Sequence, residues 1–213
     1  MKVHTIPGVG MSSNSFLVES GKSRVLVDAG WDDTGEFIIA AVSKLLKGSK
    51  LDTLLLTHRH IDHVGGATAI VKKFKCDVLI HEEDAAAIEE GDEETTGAAM
   101  FGGRLEPLDV KRIAEDDEVA GIEVMHTPGH TIGSICLYDE KTKTLISGDT
   151  VFSDGVGRWD LATGDVNALL ASLKRVAALE VEGLYPGHGR AVEKRGSVNV
   201  RIGLEYLQEF GGL

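Results

Sequence analysis

Short runs of aliphatic and β-branched residues alternate with helix-like patterns along this chain, and this alternation limits its fold more than any other feature. The runs from Asn14 to Glu19 and from Arg24 to Asp28 flank Ser20-Gly21-Lys22-Ser23, which predicts a β-hairpin. The segment from Leu51 to Leu56 predicts a strand that is buried on both faces. Strands and helices in alternation predict an α/β fold with sheets inside and helices outside.

Apolar residues at helical spacing predict the helices that follow these strands. Asp33 has the position of an N-cap, three residues before Glu36, in front of a helix that ends near Gly48. Because neither a Pro-, Ser- or Gly-rich linker nor a short repeat divides the sequence, we predict one domain over residues 1–213, with two similar halves as an alternative. The other predicted helices cover about residues 66–74, 82–94, 165–178 and 197–210, and the other predicted strands about 76–81, 118–124, 134–138, 144–147 and a short stretch up to Tyr185.

Composition and charge exclude several classes of function. Hydrophobic residues make up 42% of the 213 residues, which is enough for a buried core. A net charge of −12, without a run of Lys and Arg, argues against nucleic acid and membrane surfaces as partners and favours a small-molecule substrate. The sequence starts without the apolar stretch of a signal peptide, so we expect a cytoplasmic protein. Cys76 and Cys136 are too few for a disulfide framework, and we expect them to be small buried residues.

The densest cluster of chemically active side chains directly follows the strand that ends at Leu56. His58 and His60 project to one side of an extended chain, and the turn and helix start that follow can bring Asp62 and His63 back toward the same space. Imidazole together with carboxylate suits Zn²⁺ and its first-row neighbours. For this cluster taken alone, the alternative is a solvated His-rich loop whose spacing is accidental.

Three later segments make that alternative less favourable. Thr127-Pro128-Gly129-His130 places a histidine in a turn after a strand, and Tyr185-Pro186-Gly187-His188 repeats this turn. Between them, Ser147-Gly148-Asp149 places a carboxylate just beyond another strand. Loops at strand ends are positions where a rigid scaffold brings ligands together. The four segments in this order are therefore a specific signal for a metal site.

This set of motifs resembles the metallo-β-lactamase superfamily, whose marker is H-x-H-x-D-H followed downstream by a His, an Asp and a His. The resemblance extends from Asp28, in Val27-Asp28-Ala29-Gly30, to His188. It implies a four-layer αβ/βα sandwich, the metallo-β-lactamase fold, with a two-metal site along the edge between its two sheets.

The resemblance also implies a role for each residue of the site. Asp149 would bridge two divalent metal ions, with zinc expected first and iron or manganese as alternatives. Asp62 would be a metal ligand that positions a hydroxide between the ions, and Asp28 would orient the histidines without touching metal. The ligands of one ion would be His58, His60 and His130, and those of the other would be Asp62, His63 and His188.

The implied reaction is hydrolysis at a carbonyl carbon, because a hydroxide shared by two metal ions attacks without a separate general base. Asp149 at the bridging position resembles glyoxalase II and related thiolester hydrolases, since true β-lactamases usually carry Cys or Ser there. We therefore expect a binuclear metal-dependent thiolester hydrolase, whose thiolate product leaves with little help from a general acid. Only 25 residues follow His188, too few for the helical region with which glyoxalase II contacts glutathione.

Other activities remain open on the same fold. A persulfide dioxygenase would load one iron at His58, His130 and Asp149, and a lactone hydrolase would open a ring with the same hydroxide. A binding module without activity is disfavoured, because none of the seven ligand positions has lost its ligand.

The stretch Gly157-Arg158-Trp159-Asp160 resembles a Gly-Arg-x-Asp loop of short glyoxalase II-like and persulfide dioxygenase-like proteins. That likeness would make Arg158 and Asp160 part of a substrate loop. The alternative is an Arg158–Asp160 ion pair that braces the loop, with Asp165 as a helix N-cap.

The remaining features have simpler interpretations. His4, His81 and His126 match no ligand position, and we expect them to be structural. The glycine-rich segment 95–104, with Met100 and Phe101, is expected to be an ordinary connecting loop, with a lid or a partner surface as the alternative.

Overall fold

The computed structural model describes residues 1–32 and 34–210, and these residues divide into two compact units, one up to Ile113 and one from Ala114 onward. Each unit carries one mixed β-sheet together with helices. The single domain over residues 1–213 stays a prediction. None of the helices in the described ranges has the length and the apolar character needed to cross a lipid bilayer.

The first unit is built on six strands that pair in sequence order. Pairing is antiparallel among the first three strands and parallel from the third to the sixth. Because parallel strands end at the same edge, the residues after the third and fourth strands are neighbours. The strands are β1 (Lys2–Ile6), β2 (Ser15–Ser20), β3 (Ser23–Val27), β4 (Thr53–Leu55), β5 (Asp77–His81) and β6 (Lys111–Ile113).

Helices connect the parallel strands of this unit. Helix α1 buries Ile38, Val42 and Leu46, whose spacing of four residues forms one apolar stripe. Asp33 lies outside the described residues; at the start of α1, the Asp32 carboxylate accepts a 2.9 Å hydrogen bond from the Phe37 amide. The helices are α1 (Glu36–Leu46), α2 (Ile61–Val64), α3 (Ala67–Phe74) and α4 (Glu82–Glu90), and a 3-10 turn covers Ala99–Phe101.

The second unit is built on a five-stranded sheet in the order β11-β10-β9-β8-β7, in which only β10 and β11 pair in parallel. Helix α5 buries Leu169, Leu173 and Val176, and its N-cap is Asp165, as predicted. The elements are β7 (Glu118–Val119), β8 (Ile122–His126), β9 (Ile135–Asp139), β10 (Thr144–Gly148), α5 (Val166–Ala177), β11 (Gly183–Pro186) and α6 (Gly196–Phe210).

Several boundaries differ from the sequence prediction. The strand predicted over 118–124 is a hairpin of β7 and β8, because Ala120 and Gly121 both adopt positive φ and turn the chain. The helix predicted over 82–94 ends at Glu90, where Gly91 follows in the left-handed region. Strands β1 and β6 were not predicted.

The two cysteines are buried, as predicted. Burial raises the pKa of both thiols, because a thiolate loses its hydration inside the protein. Cys76 and Cys136 therefore stay protonated and act as small apolar residues.

Candidate metal centre

The first unit brings four candidate ligands together at the end of β4. The ring centroid of His58 lies 4.9 Å from that of His60 and 4.1 Å from that of His63. Helix α2 begins directly after His60, and its first turn carries Asp62 and His63 with 3.7 Å between Asp62 Oδ2 and His63 Nε2. All three histidines are buried, whereas the Asp62 side chain is 24% exposed.

Asp28 supports this cluster from the neighbouring strand end. It follows β3 with φ 59°, and its backbone amide donates to the Leu55 carbonyl at 2.9 Å. Its carboxylate accepts hydrogen bonds from the Thr57 amide and the Thr57 hydroxyl, both at 2.8 Å, and from His63 Nδ1 at 2.7 Å. Asp28 is thus a buried acceptor that fixes the start of the histidine loop.

These contacts define which ring nitrogens carry protons. The Thr57 hydroxyl has one proton and donates it to Asp28. In its 3.1 Å contact with His58 Nδ1 the hydroxyl oxygen is therefore the acceptor. His63 Nδ1 likewise donates to Asp28. In both rings Nε2 is then the unprotonated nitrogen. A metal ion binds a histidine through such a nitrogen.

The second unit brings the other three candidate ligands together. The Asp149 Oδ2 atom lies 3.5 Å from His130 Nε2 and 3.6 Å from His188 Nε2. His130 and Asp149 are buried, and the His188 side chain is 34% exposed beside the ring of Phe152. One carboxylate therefore faces both imidazoles of this unit.

Close backbone packing positions His130. Gly129 has φ 134°, and a Cβ atom there would lie 2.2 Å from the Leu169 amide nitrogen of α5. The Asp165 amide donates to the Gly129 carbonyl at 2.9 Å, and the Ser172 hydroxyl donates to the Pro128 carbonyl at 2.8 Å. The Pro-Gly turn before His130 is therefore held against the first two turns of α5.

The carbonyl of Arg158 orients the ring of His130 by accepting a 2.6 Å hydrogen bond from Nδ1. This contact requires Gly157, because a Cβ atom at that position would lie 1.8 Å from the Asp149 carbonyl and 3.1 Å from His130 Nδ1. Glycine at position 157 therefore lets the chain pass close to Asp149 and His130.

Replacing Gly157 with alanine is expected to destabilise the protein by more than about 2 kcal/mol, because the added methyl group overlaps a backbone carbonyl. Gly155→Ala is the matched control, since a Cβ atom at Gly155 would have nothing within 4 Å. Thermal unfolding of the two metal-free variants measures the difference, and equal midpoints would contradict this account of Gly157.

Arg158 and Asp160 pair with each other. The Arg158 Nε and Nη2 atoms donate to the two oxygens of Asp160, each at 2.9 Å, and more than half of both side chains is exposed. The hydrogen bond from Arg158 holds the pKa of Asp160 below its usual value. The ion pair that braces the loop is present, and contact of this loop with substrate stays a prediction.

The other described histidines have structural contacts. His81 Nδ1 accepts a hydrogen bond from the Glu83 amide and caps α4. His126 Nε2 donates to the Ile132 carbonyl at 2.8 Å, and His4 Nε2 lies 4.0 Å from the Glu19 carboxylate.

Sequence reasoning missed two parts of the support for these ligands. Thr57 directly precedes His58, so its place in the motif was a usable signal. The Arg158 carbonyl gives no such signal, since every residue has one. The candidate ligands are five imidazoles and two carboxylates, and imidazole with carboxylate fits Zn²⁺, Fe²⁺ or Mn²⁺ better than Mg²⁺ or Ca²⁺.

Known proteins resemble this chain over most of its length. The metallo-beta-lactamase superfamily matches residues 8–188. "Probable metallo-hydrolase MJ0888" of Methanocaldococcus jannaschii is 39% identical over 191 residues, which cover 85% of this chain and 90% of that protein. "Hydroxyacylglutathione hydrolase GloC" of Haemophilus influenzae is 29% identical over 185 residues, which cover 82% of this chain and 83% of that protein.

A solved structure also resembles this chain over most of its length. TTHA1623, crystallised in a di-iron-bound form, superposes with a TM-score of 0.78 at 31% identity, and the match covers 95% of this chain and 96% of that chain. This chain therefore belongs to the metallo-beta-lactamase superfamily and has its α/β fold, with two mixed sheets and helices.

Proposed function

We propose that the seven candidate ligands bind two divalent metal ions and that the protein hydrolyses a small-molecule thiolester. The observation that carries this proposal is the orientation of the histidines. Nδ1 of His58, His63 and His130 is hydrogen-bonded to oxygen, so Nε2 is the nitrogen that would bind a metal ion. The ligands proposed are His58, His60, Asp62, His63, His130, Asp149 and His188.

Two bound divalent ions would supply an activated water and polarise the carbonyl oxygen of the substrate. The residues of the chain then have three tasks. Asp28 accepts the Nδ1 proton of His63, and Thr57 accepts that of His58, so that Nε2 of each ring is the nitrogen without a proton. The Asp62 carboxylate, whose side chain is 24% exposed, would accept a hydrogen bond from that water and orient it. Asp149 places one negative charge between His130 and His188.

A thiolester is the substrate class that asks least of such a site. A thiolate is a stable leaving group, so its departure does not require a strong general acid. Asp149 matches the position where the resemblance to glyoxalase II places an aspartate, and a relative that covers most of this chain is named a hydroxyacylglutathione hydrolase. The net charge of −12 favours a small molecule over nucleic acid or a membrane surface.

A substrate panel tests this proposal. Metal-free protein is loaded separately with Zn²⁺, Mn²⁺ and Fe²⁺, and each form is given a glutathione thiolester, a coenzyme A thiolester, a lactone, a β-lactam and glutathione persulfide. We expect hydrolysis of at least one thiolester to exceed every other reaction, with zinc as the first candidate metal. Lactone or β-lactam hydrolysis as the fastest reaction would contradict the substrate class.

Two histidine variants of the second unit separate site effects from general damage. His130→Gln is expected to lower kcat/KM for the thiolester at least about a hundredfold, because it removes a proposed metal ligand. His126→Gln is the matched control, because the ring donates to the Ile132 carbonyl and a Gln amide can replace that contact. Equal activity of the two variants would remove His130 from the site.

A second candidate function is oxygen-dependent oxidation of a persulfide by one iron at His58, His130 and Asp149. The di-iron-bound form of TTHA1623 supports iron as the metal in this candidate, though not the single ion, since a relative with this fold holds two irons. Oxygen uptake with glutathione persulfide, stoichiometric with sulfite release, would favour it over hydrolysis.

A further inference from the structure

Arg59 stands between two of the proposed ligands, yet its side chain is buried in a polar network of its own. The Arg59 side chain is 8% exposed and that of its partner Asp84 is fully buried. An arginine inside a metal-binding motif adds positive charge near cations, so its retention there needs a physical reason.

The contacts of Arg59 satisfy both its backbone and its guanidinium group. Its backbone amide donates to Asp84 Oδ2 at 2.9 Å, and its Nε donates to Asp84 Oδ1 at 2.8 Å. Nη2 donates to the Glu83 carbonyl at 2.7 Å, and Nη1 donates to the Thr95 hydroxyl at 3.0 Å. One residue thus joins the histidine loop to the start of α4 and to the segment after it.

A second contact follows directly along the chain. The Ile61 amide, at the start of α2, donates to the Thr96 carbonyl at 2.9 Å. Thr95 and Thr96 are in turn held by Asp92, whose carboxylate accepts from the Thr95 hydroxyl at 2.5 Å and whose carbonyl accepts from the Thr96 hydroxyl at 2.5 Å. The glycines of segment 95–104, Gly97, Gly102 and Gly103, follow these two threonines.

Stability alone is a weak explanation for the buried pair. Removing two charges from water costs several kcal/mol per ion, and apolar pairs of similar size are often at least as stabilising. What an apolar pair lacks is the hydrogen bond from the Arg59 amide to Asp84, which fixes the peptide unit that joins His58 to Arg59.

We propose that Arg59 and Asp84 are positioning residues, which hold the backbone between His58 and His60 in the conformation that binds metal and connect it to the segment 92–96. The inference rests on the proposed metal binding and not on the thiolester substrate. Arg59 and Asp84 do not touch metal or substrate in this proposal.

Metal affinity measured by chelator competition tests the proposal. Asp84→Asn and Arg59→Lys are each expected to weaken Zn²⁺ binding about 10- to 100-fold, as substitutions behind metal ligands commonly do. Arg112→Lys is the matched control. Arg112 pairs at 2.6 Å with Glu89, which lies in helix α4 as Asp84 does, but the Arg112 side chain is 55% exposed. The control is expected to bind Zn²⁺ within about twofold of the unsubstituted protein.

Two further variants keep the test decisive if the first two fail to fold. Thr95→Val removes the hydroxyl that accepts from Arg59 Nη1 and donates to Asp92, and it is expected to weaken Zn²⁺ binding by a smaller factor. Arg59→Met combined with Asp84→Leu replaces the ion pair with apolar side chains. This double variant is expected to fold but to bind Zn²⁺ less tightly than the unsubstituted protein does.

The outcomes separate this inference from the proposed function. Unchanged Zn²⁺ affinity in the folded variants, with only the unfolding midpoint lowered, would overturn the positioning role and leave metal binding intact. Tight Zn²⁺ binding without thiolester hydrolysis would reject the substrate class and leave the positioning role in place. An unsubstituted protein that binds no metal would overturn both.

Discussion

Replacement of Asp149 by alanine is expected to abolish measurable hydrolysis and to lower the bound metal from two ions to at most one per chain. Asp149 Oδ2 is within 3.6 Å of Nε2 in both His130 and His188, so one carboxylate supplies the negative charge for both donors. Without it, cations would enter a site whose remaining ligands in this unit are neutral. We expect kcat/KM to fall at least about a thousandfold, and the metal content of the purified variant to fall in parallel.

Asp139→Ala is the matched control for this prediction. Asp139 lies in the same unit, is as buried as Asp149 at 7% exposure, and accepts a 2.6 Å hydrogen bond from the Thr142 hydroxyl. It is expected to lose stability while keeping two metal ions. Retention of both ions and of activity by Asp149→Ala would show that this carboxylate is not a ligand.

Asp28→Asn is expected to have the second largest effect, a loss of about 10- to 100-fold in metal affinity together with a marked loss of stability. The Asp28 carboxylate accepts three hydrogen bonds, and an amide offers only one accepting oxygen. At least one buried donor then loses its partner, which costs about 1–3 kcal/mol. Asparagine tolerates the positive φ of this position, so the change isolates the carboxylate from backbone strain.

Two measurements distinguish positioning from stability in Asp28→Asn. Thermal unfolding of the metal-free variant reports the lost hydrogen bonds, and chelator competition reports the affinity for Zn²⁺. A lower unfolding midpoint with unchanged affinity would mean that Asp28 supports the fold but does not orient His58 and His63.

The sequence predicted the interior elements of the fold better than its edges. Helices α1 and α5 carry apolar residues at regular spacing, and β4 and β10 lie in apolar runs, so burial is visible in their composition. Strands β1 and β6 lie at the two edges of their sheet, where most of their side chains are exposed or half-buried. Their apolar signal is therefore weak, and β6 is only three residues long.

The candidate ligands were predictable from their spacing, whereas among their supports Asp28 was predicted through the resemblance and the others were not. His58, His60, Asp62 and His63 lie within six residues, so local geometry alone brings them together. The partners that orient them are distant along the chain: Arg59 and Asp84 are 25 residues apart, and His130 and Arg158 are 28 residues apart. Such contacts depend on strand order and backbone path, which motif spacing does not encode.

We propose that two metal ions per chain support hydrolysis of a thiolester. To test this, metal-free protein is titrated with Zn²⁺, and bound metal and thiolester hydrolysis are measured at each step. Hydrolysis is expected to rise to its maximum at two equivalents of Zn²⁺ per chain. Full activity with one iron per chain, with oxygen uptake on glutathione persulfide that matches sulfite release and no thiolester hydrolysis at any zinc loading, would contradict it.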